Sequence, residues 1–236
     1  MRKSLLIVSV AVFGLSFGCG GKDAKDKPAT AVDTAAVAVD TVAVVPDTAV
    51  VAPDTATTFT DSRDGKVYKI VKIGRQVWFA ENLNHAAKGS KCYDNKAANC
   101  AKYGRLYNWN TALTVCPAGF HLPDDNEWYT LRDYADNQET AGTRLKSTGG
   151  WNKNGNGTDD YGFSALPGGS GGFGVRDDIF EDVNYSGLWW SATPYYKDGY
   201  VMRQLMRYNS ESVISRYDHQ RCLFSVRCIQ DREGEE

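Results

Sequence analysis

An α+β domain is the fold this sequence predicts, and three stretches predict it: a β-hairpin at the start of an aromatic-rich region, one capped amphipathic helix in its middle, and short aromatic and β-branched runs at its end. The hairpin comes first. After an Asp64-Gly65 turn, Val67 to Ile73 reads as a strand, Gly74-Arg75 as a tight turn and Gln76 to Phe79 as the returning strand. The helix follows Pro123. Asp124 with Glu127 three residues on forms a capping box, and Trp128, Leu131 and Ala135 fall on one face. A shorter helix is expected near Glu139 to Leu145, stopped by the run Ser147 to Gly150. Gly, Asn and Asp dominate from Trp151 to Asp182 with neither strand nor helix period, so this stretch is expected to be loop. Leu188 to Ile229 alternates strand-like runs with turn residues, as in a small antiparallel sheet.

This domain is expected over residues 59–231, with residues 232–236 a disordered tail; about 170 residues suffice for one substantial core. What precedes it differs in kind. Arg2 and Lys3 open a positive segment, and Leu5 to Phe17 is apolar but too short to cross a bilayer core of ~30 Å, so residues 1–18 read as an export signal peptide. Leu15-Ser16-Phe17-Gly18-Cys19 resembles a bacterial lipobox, with Ser16 and Phe17 departing from the usual residues; the alternative is plain secretion without modification of Cys19. The resemblance implies a lipid on Cys19, and Gly20 after it implies sorting to the outer membrane.

Residues 19–58 cannot build a core: up to Thr58 they hold no aromatic residue and are broken by Pro28, Pro46 and Pro53. Asp-Thr recurs every seven residues, at Thr34, Thr41, Thr48 and Thr55. The prolines and β-branched residues oppose a coiled coil, leaving an extended tether that reaches on the order of 100 Å at ~3.1 Å per residue. The four threonines also resemble acceptors of bacterial O-glycosylation; the alternative is a plain spacer whose Asp and Pro keep the Val pairs from aggregating. A net charge of −2 excludes a nucleic-acid partner held by bulk charge.

Several blocks in order, Asp64 to Tyr68, Ile73 to Asn84, Gly104 to Tyr107, Cys116 to Pro123, Gly157 to Gly169, Trp189 to Thr193 and Ser225 to Cys228, resemble the Fibrobacter succinogenes major paralogous domain over nearly the whole region. That family is more remotely similar to the C-type lectin-like fold, which implies joined terminal strands, two helices, a long irregular loop region and a short second sheet. The resemblance implies a long-range bridge from Cys116 to Cys228 and a local one from Cys92 to Cys100. It leaves Cys222 as a free, buried thiol. Gly119 to Trp128 is similar to a segment of formylglycine-generating enzymes, but their copper-binding cysteine pair has no counterpart here.

Candidate ligand residues lie in the long loop and after it. Asn152, Asn154, Asn156, Asp159 and Asp160 gather hard oxygen donors of the kind calcium takes; the spacing begins like an EF-hand, yet Phe163 stands where a bidentate Glu is needed. The alternative is a loop whose Asn and Asp cap its own backbone. Gly169 to Gly174 matches a dinucleotide fingerprint by letter only. Trp151, Trp189, Trp190, Tyr195, Tyr196 and Tyr200 are flat rings suited to stacking on sugars, or to a core. Trp189 and Trp190 on one strand must point to opposite faces, so one is expected buried and the other exposed.

Three functions follow as expectations: a surface-displayed binding module for polysaccharide or a protein partner, a structural component of the cell envelope, and a secreted hydrolase. The first is favoured, because no nucleophile triad or metalloprotease helix stands out, although a carboxylate pair such as Asp160 with Glu181 would serve hydrolysis at the right separation. Metabolic labelling with a fatty-acid analogue is expected to tag the wild-type chain and not the Cys19→Ala variant; equal labelling of both refutes the anchor.

Overall fold

The computed structural model describes residues 57–173 and 176–232. In chain order its elements are β1 (Thr57–Thr60), β2 (Val67–Ile73), β3 (Gln76–Phe79), β4 (Ser90–Lys91), α1 (Ala97–Tyr103), β5 (Leu106–Tyr107), α2 (Trp109–Ala112) and β6 (Phe120–His121). There follow α3 (Asp125–Ala135), α4 (Ala141–Leu145), β7 (Ser170–Phe173), β8 (Arg176–Glu181), β9 (Ser186–Pro194), β10 (Tyr200–Arg207), β11 (Ile214–His219), β12 (Phe224–Ser225) and β13 (Ile229–Gln230). The fold is α+β. One sheet runs β1-β2-β3-β13-β6, a second runs β11-β10-β9-β12-β5-β4, and β7-β8 is a separate hairpin.

The expected hairpin is β2 and β3, paired Ile70 to Phe79 through Ile73 to Gln76. β1 pairs antiparallel with β2, from Thr57 opposite Ile70 to Thr60 opposite Val67. The α3 capping box is complete: Asp124 Oδ1 accepts from Glu127 N at 2.8 Å and Glu127 Oε2 accepts from Asp124 N at 2.9 Å. Three expectations need correction. β7 and β8 form a hairpin inside the stretch expected to be loop, because glycines remove the side-chain pattern that marks a strand. Short α1 and α2 have too few turns to show a period. The terminal sheet is not wholly antiparallel, since β12 lies parallel to β9.

β9 is the central plank between two cores. Trp190 packs on one side with Tyr107, Phe224 and Leu205, and Trp189 on the other with Trp78, Trp128 and Phe163. Alternation along the strand is as expected, but helices and sheet cover both faces, so both indoles are fully buried. Each finds a polar partner: Trp189 Nε1 donates to Asn82 Oδ1 at 2.8 Å and Trp190 Nε1 to the Tyr107 carbonyl at 2.6 Å.

The chain crosses from the second sheet to the first between β12 and β13, and this crossover is held on all sides. Leu83 N donates to the Val226 carbonyl and Phe79 N to the Cys228 carbonyl, both at 2.9 Å. Cys228 is bridged to Cys116 across 112 residues, a closure worth about 4 to 5 kcal/mol in the chain-entropy view. Between them sits Arg227, wholly buried. Its Nη2 donates to Asn82 Oδ1 at 3.0 Å and its Nη1 to the carbonyls of Phe79 and Phe163, and the guanidinium lies 4.5 Å over the Phe163 ring. Burial pushes Arg227 down to about 9, with Asp159 and Glu81 opposing, so it stays charged at neutral pH.

Cys92 and Cys100 are joined, tying the start of α1 to the turn before it. Cys222 is buried as expected, but it is disulfide-bonded, so the expectation of a free thiol fails. Cys19, Thr34, Thr41, Thr48 and Thr55 lie outside the described residues.

Asn82→Ala strips Arg227 and Trp189 of their shared acceptor and leaves a buried cation short of partners. The loss expected in chemical denaturation is about 3 kcal/mol or more. A loss below about 1 kcal/mol would show that the hub is dispensable.

Candidate functional site

Helix α3 covers only part of the outer face of β9–β11. Its Asp125 and Arg132 meet Gln204 and Ser215: Asp125 Oδ1 accepts from Gln204 Nε2 at 2.7 Å, and Arg132 Nη1 donates to Ser215 Oγ at 2.9 Å. The register pairs Gln204 with Ser215, Met202 with Tyr217 and Tyr200 with His219. Alternation therefore places Tyr217, Tyr200 and His219 on the same face as Ser215, farther out along the strands. The turn joining β9 to β10 adds Tyr195 and Tyr196, closed by hydrogen bonds from Tyr195 N to the Tyr200 carbonyl and from Tyr200 N to the Lys197 carbonyl. Gly199 holds a φ of +75° in that turn, a conformation that side chains disfavour.

The rings form a column. Tyr195 lies between Tyr196 and Tyr217, with centroids 4.0 Å away on each side and only 13° between the Tyr195 and Tyr217 planes. Tyr200 meets Tyr217 edge-on at 5.9 Å, and His219 meets Tyr200 edge-on at 5.6 Å. Lys197 Nζ sits 4.6 Å over the Tyr200 ring. Tyr196 ends the column at 90% exposure, and Tyr217 is 44% exposed. A hydrogen bond to Tyr196 raises the Tyr195 phenol above its ordinary range. An exposed stack of this kind offers one flat apolar ring face and a row of hydroxyls.

The oxygen-rich loop has a different role. Asn152 Oδ1 accepts from Lys153 N, Asn156 Oδ1 from Trp151 N, and Asp159 from both Ser164 N and Ser164 Oγ. Asp160 stands 3.8 Å from Arg144. Asn154 takes a left-handed φ of 61°. Asn152, Asn156 and Asp159 thus cap their own loop. The loop is pressed onto the domain through its glycines: a β-carbon on Gly155 would meet the Tyr208 carbonyl oxygen at 2.1 Å. Trp151 is 5% exposed, with its indole N–H directed to Ser147 Oγ and the Ala165 carbonyl. Trp151, Trp189 and Trp190 are therefore core residues, and the expectation that they contact ligand is corrected. Of the expected stacking residues, Tyr195, Tyr196 and Tyr200 come together at the surface. Tyr217 and His219 were missed, because only the β10–β11 register brings them there; their spacing of two is the signal that could have found them.

Two charged clusters complete the picture. Asp61, Asp64 and His85 each place a ligand-type atom within 4.8 Å of the others. Arg63 already engages Asp61 at 2.7 Å, and Lys66 engages Asp64 at 2.7 Å. Burial would raise Asp64, yet hydrogen bonds from Lys66 and His85 hold it at about 2. The carboxylates are thus neutralised from within and brace the turn before β2. The second cluster is a clamp: His121 lies 3.0 Å from Glu127 and 2.6 Å from Asp231, linking β6, α3 and the end of the chain. Burial opposes its charge, but the hydrogen bond to Glu127, then that to Asp231, raises His121 to about 9.

The blocks named above are all present in this arrangement: the hub residues Asn82 and Arg227, the loop residues Phe163 and Ser164, and the paired tryptophans of β9. The family description Fibrobacter succinogenes major domain matches residues 71–230. The chain belongs to that family. No curated protein matches the chain. No solved structure matches it either. In this Fibrobacter succinogenes major domain, the matched span includes every residue of the tyrosine column, while Asp61 and Asp64 precede it.

The His121 clamp gives a pH dependence. Its folded pKa, about 9, lies above the ordinary 6.5, so the stability it contributes is full below about 6.5 and is lost as pH rises through 9. The wild type should lose stability between these values more steeply than His121→Gln, as read by thermal melts across pH. Parallel curves would dissociate the clamp from stability.

Proposed function

We propose that the chain is an exported module that presents a carbohydrate-binding face, and that the tyrosine column at the end of β9–β11 is that face. The observation that carries this reading is Tyr196, 90% exposed at the end of a stacked column that fixes its orientation. A sugar's axial C–H face packs on a flat ring, and the surrounding phenols and Lys197 offer hydrogen bonds to its hydroxyls. An exposed large aromatic with no role in a core suits this use better than a purely structural envelope role. A wall protein with which a neighbour packs needs a broad apolar patch, and the column is narrow and polar-rimmed.

A C-type lectin-like fold supports the same reading. Strands from both ends of the domain, β1 to β3 and β13, share one sheet, a long-range bridge spans Cys116 to Cys228, and α3 and α4 precede the irregular stretch up to β7. In such a scaffold the terminal sheet is the rigid base, and binding falls on elements held away from it. In this proposal the signal peptide carries the module out of the cytoplasm, and residues 19–58 serve as its tether. A protein ligand is the second reading, since tyrosine-rich surfaces also serve protein recognition.

Pull-down of the chain on insoluble polysaccharides, compared with Tyr196→Ala, tests the proposal. Losing one stacked ring is expected to weaken binding about three- to tenfold without lowering the melting temperature. Because the donors of Asn152, Asn156 and Asp159 are engaged by the loop's own backbone, chelation of calcium should leave binding unchanged. Equal retention of wild type and Tyr196→Ala moves the site elsewhere.

A further inference from the structure

β11 is a long edge. Among the described residues it is hydrogen-bonded to β10 alone, over six residues in continuous register, whereas the opposite edge of the same sheet is the two-residue β4. An edge of this length presents a row of backbone N–H and C=O groups that can pair with another strand. Edges that avoid pairing carry a proline, a bulge, or charged side chains that meet like charges on an approaching strand. β11 has no proline and no bulge against β10, and its charges are one of each sign, Arg216 and Asp218, on either side of Tyr217.

That order selects one symmetric pairing. A twofold axis relating two antiparallel copies in one sheet stands perpendicular to the sheet, so each face of the strand continues the same face of its partner. The axis must then pass between two copies of one residue. On Arg216 it would set guanidinium against guanidinium, and on Asp218 carboxylate against carboxylate. On Tyr217 it sets Arg216 opposite Asp218 of the second copy, twice, with Ser215 opposite His219 on the other face.

The charges already present within one chain favour the same arrangement. Arg203 lies directly across from Arg216 in the β10–β11 register. It is buried and paired with Asp218 at 2.6 Å, yet its Nη1 has no hydrogen-bond partner. Arg207 and Arg216 both act against its charge. A second copy brings another Asp218 to this arginine-rich margin.

We propose that two copies of the chain associate by antiparallel pairing of β11 with β11 about an axis on Tyr217, joining two six-stranded sheets and setting two tyrosine columns side by side. The pairing is independent of what the columns bind. Sedimentation velocity on the full chain should show a concentration-dependent dimer. Arg216→Glu places like charges opposite each other and should shift the dimer to at least about tenfold higher concentration, and Asp218→Arg should do the same. An equimolar mixture of the two variants restores opposite charges at both positions, so it should dimerise again.

Asp218 also holds Arg203, so a third variant keeps the test open if Asp218→Arg folds poorly. Opposed β-carbons in such a pair lie about 5 Å apart, so Tyr217→Cys should form a reducible dimer under mild oxidation, and Asp198→Cys on the nearby turn should not. The described cysteines are all in disulfides, which keeps the introduced thiol distinguishable. A chain that sediments as a monomer at every concentration, with no cross-link through Tyr217→Cys, overturns the proposal. So does a dimer that Arg216→Glu leaves intact and Tyr217→Cys fails to capture.

Discussion

Asn82 and Arg227 meet where the chain passes from one sheet to the other, and the rest of the domain is arranged around that meeting. A guanidinium with no water around it needs acceptors on several sides. It finds the Phe79 carbonyl at the end of β3 and Asn82 Oδ1 just after it, and the Phe163 carbonyl in the long loop, two separate stretches of chain. Asn82 in turn receives Trp189 Nε1 and donates to the Tyr103 carbonyl, at 2.8 Å each. One amide and one cation therefore join β3, α1, the long loop and β9. A hydrogen-bonded cation tolerates little displacement of its acceptors, which gives the irregular loop a single position despite its poverty of regular structure.

The placement of the two tryptophans follows from this. Trp189 is drawn to Asn82 and lies in the aromatic core with Trp78, Trp128 and Phe163, 6.4 Å from the Trp128 ring. Trp190 must then face the opposite way, where Phe224 lies 4.4 Å from it. With β9 fixed on both faces near its middle, its far end runs beyond the cover of α3. The turn after Pro194 projects tyrosines from that unprotected end. The stable middle and the exposed end are thus parts of one strand, and the rigidity of the first orients the second.

Acid and basic groups outside the hub divide into braces and surface. Asp61 with Arg63, and Glu127 with His121, tie turns and termini down with partners a few residues away or across one element. The tyrosine column carries no buried charge and depends on ring contacts, so it can vary at its tip with little effect on the core. The charged strand β11 sits between the two regimes, one side sharing a buried ion pair and the other open to solvent.

Much of the local structure was legible in the sequence because it depends on neighbours in the chain. The β2–β3 turn needs glycine, the α3 cap needs Asp124 and Glu127, and the Asn- and Asp-rich loop caps its own backbone, all of which are short-range rules. The family blocks were legible too, since Asn82, Phe163, Trp189 and Arg227 lie within them. What they do was not, because a hydrogen bond between residues 145 positions apart leaves no local mark. Burial of both Trp189 and Trp190 required knowing that helices and sheet cover both faces of β9. The tyrosine column required the register of β11 on β10, which places Tyr217 beside Tyr195 and Tyr200. Periodicity assigns a side chain to one face of a strand; only packing determines whether that face meets a core or water.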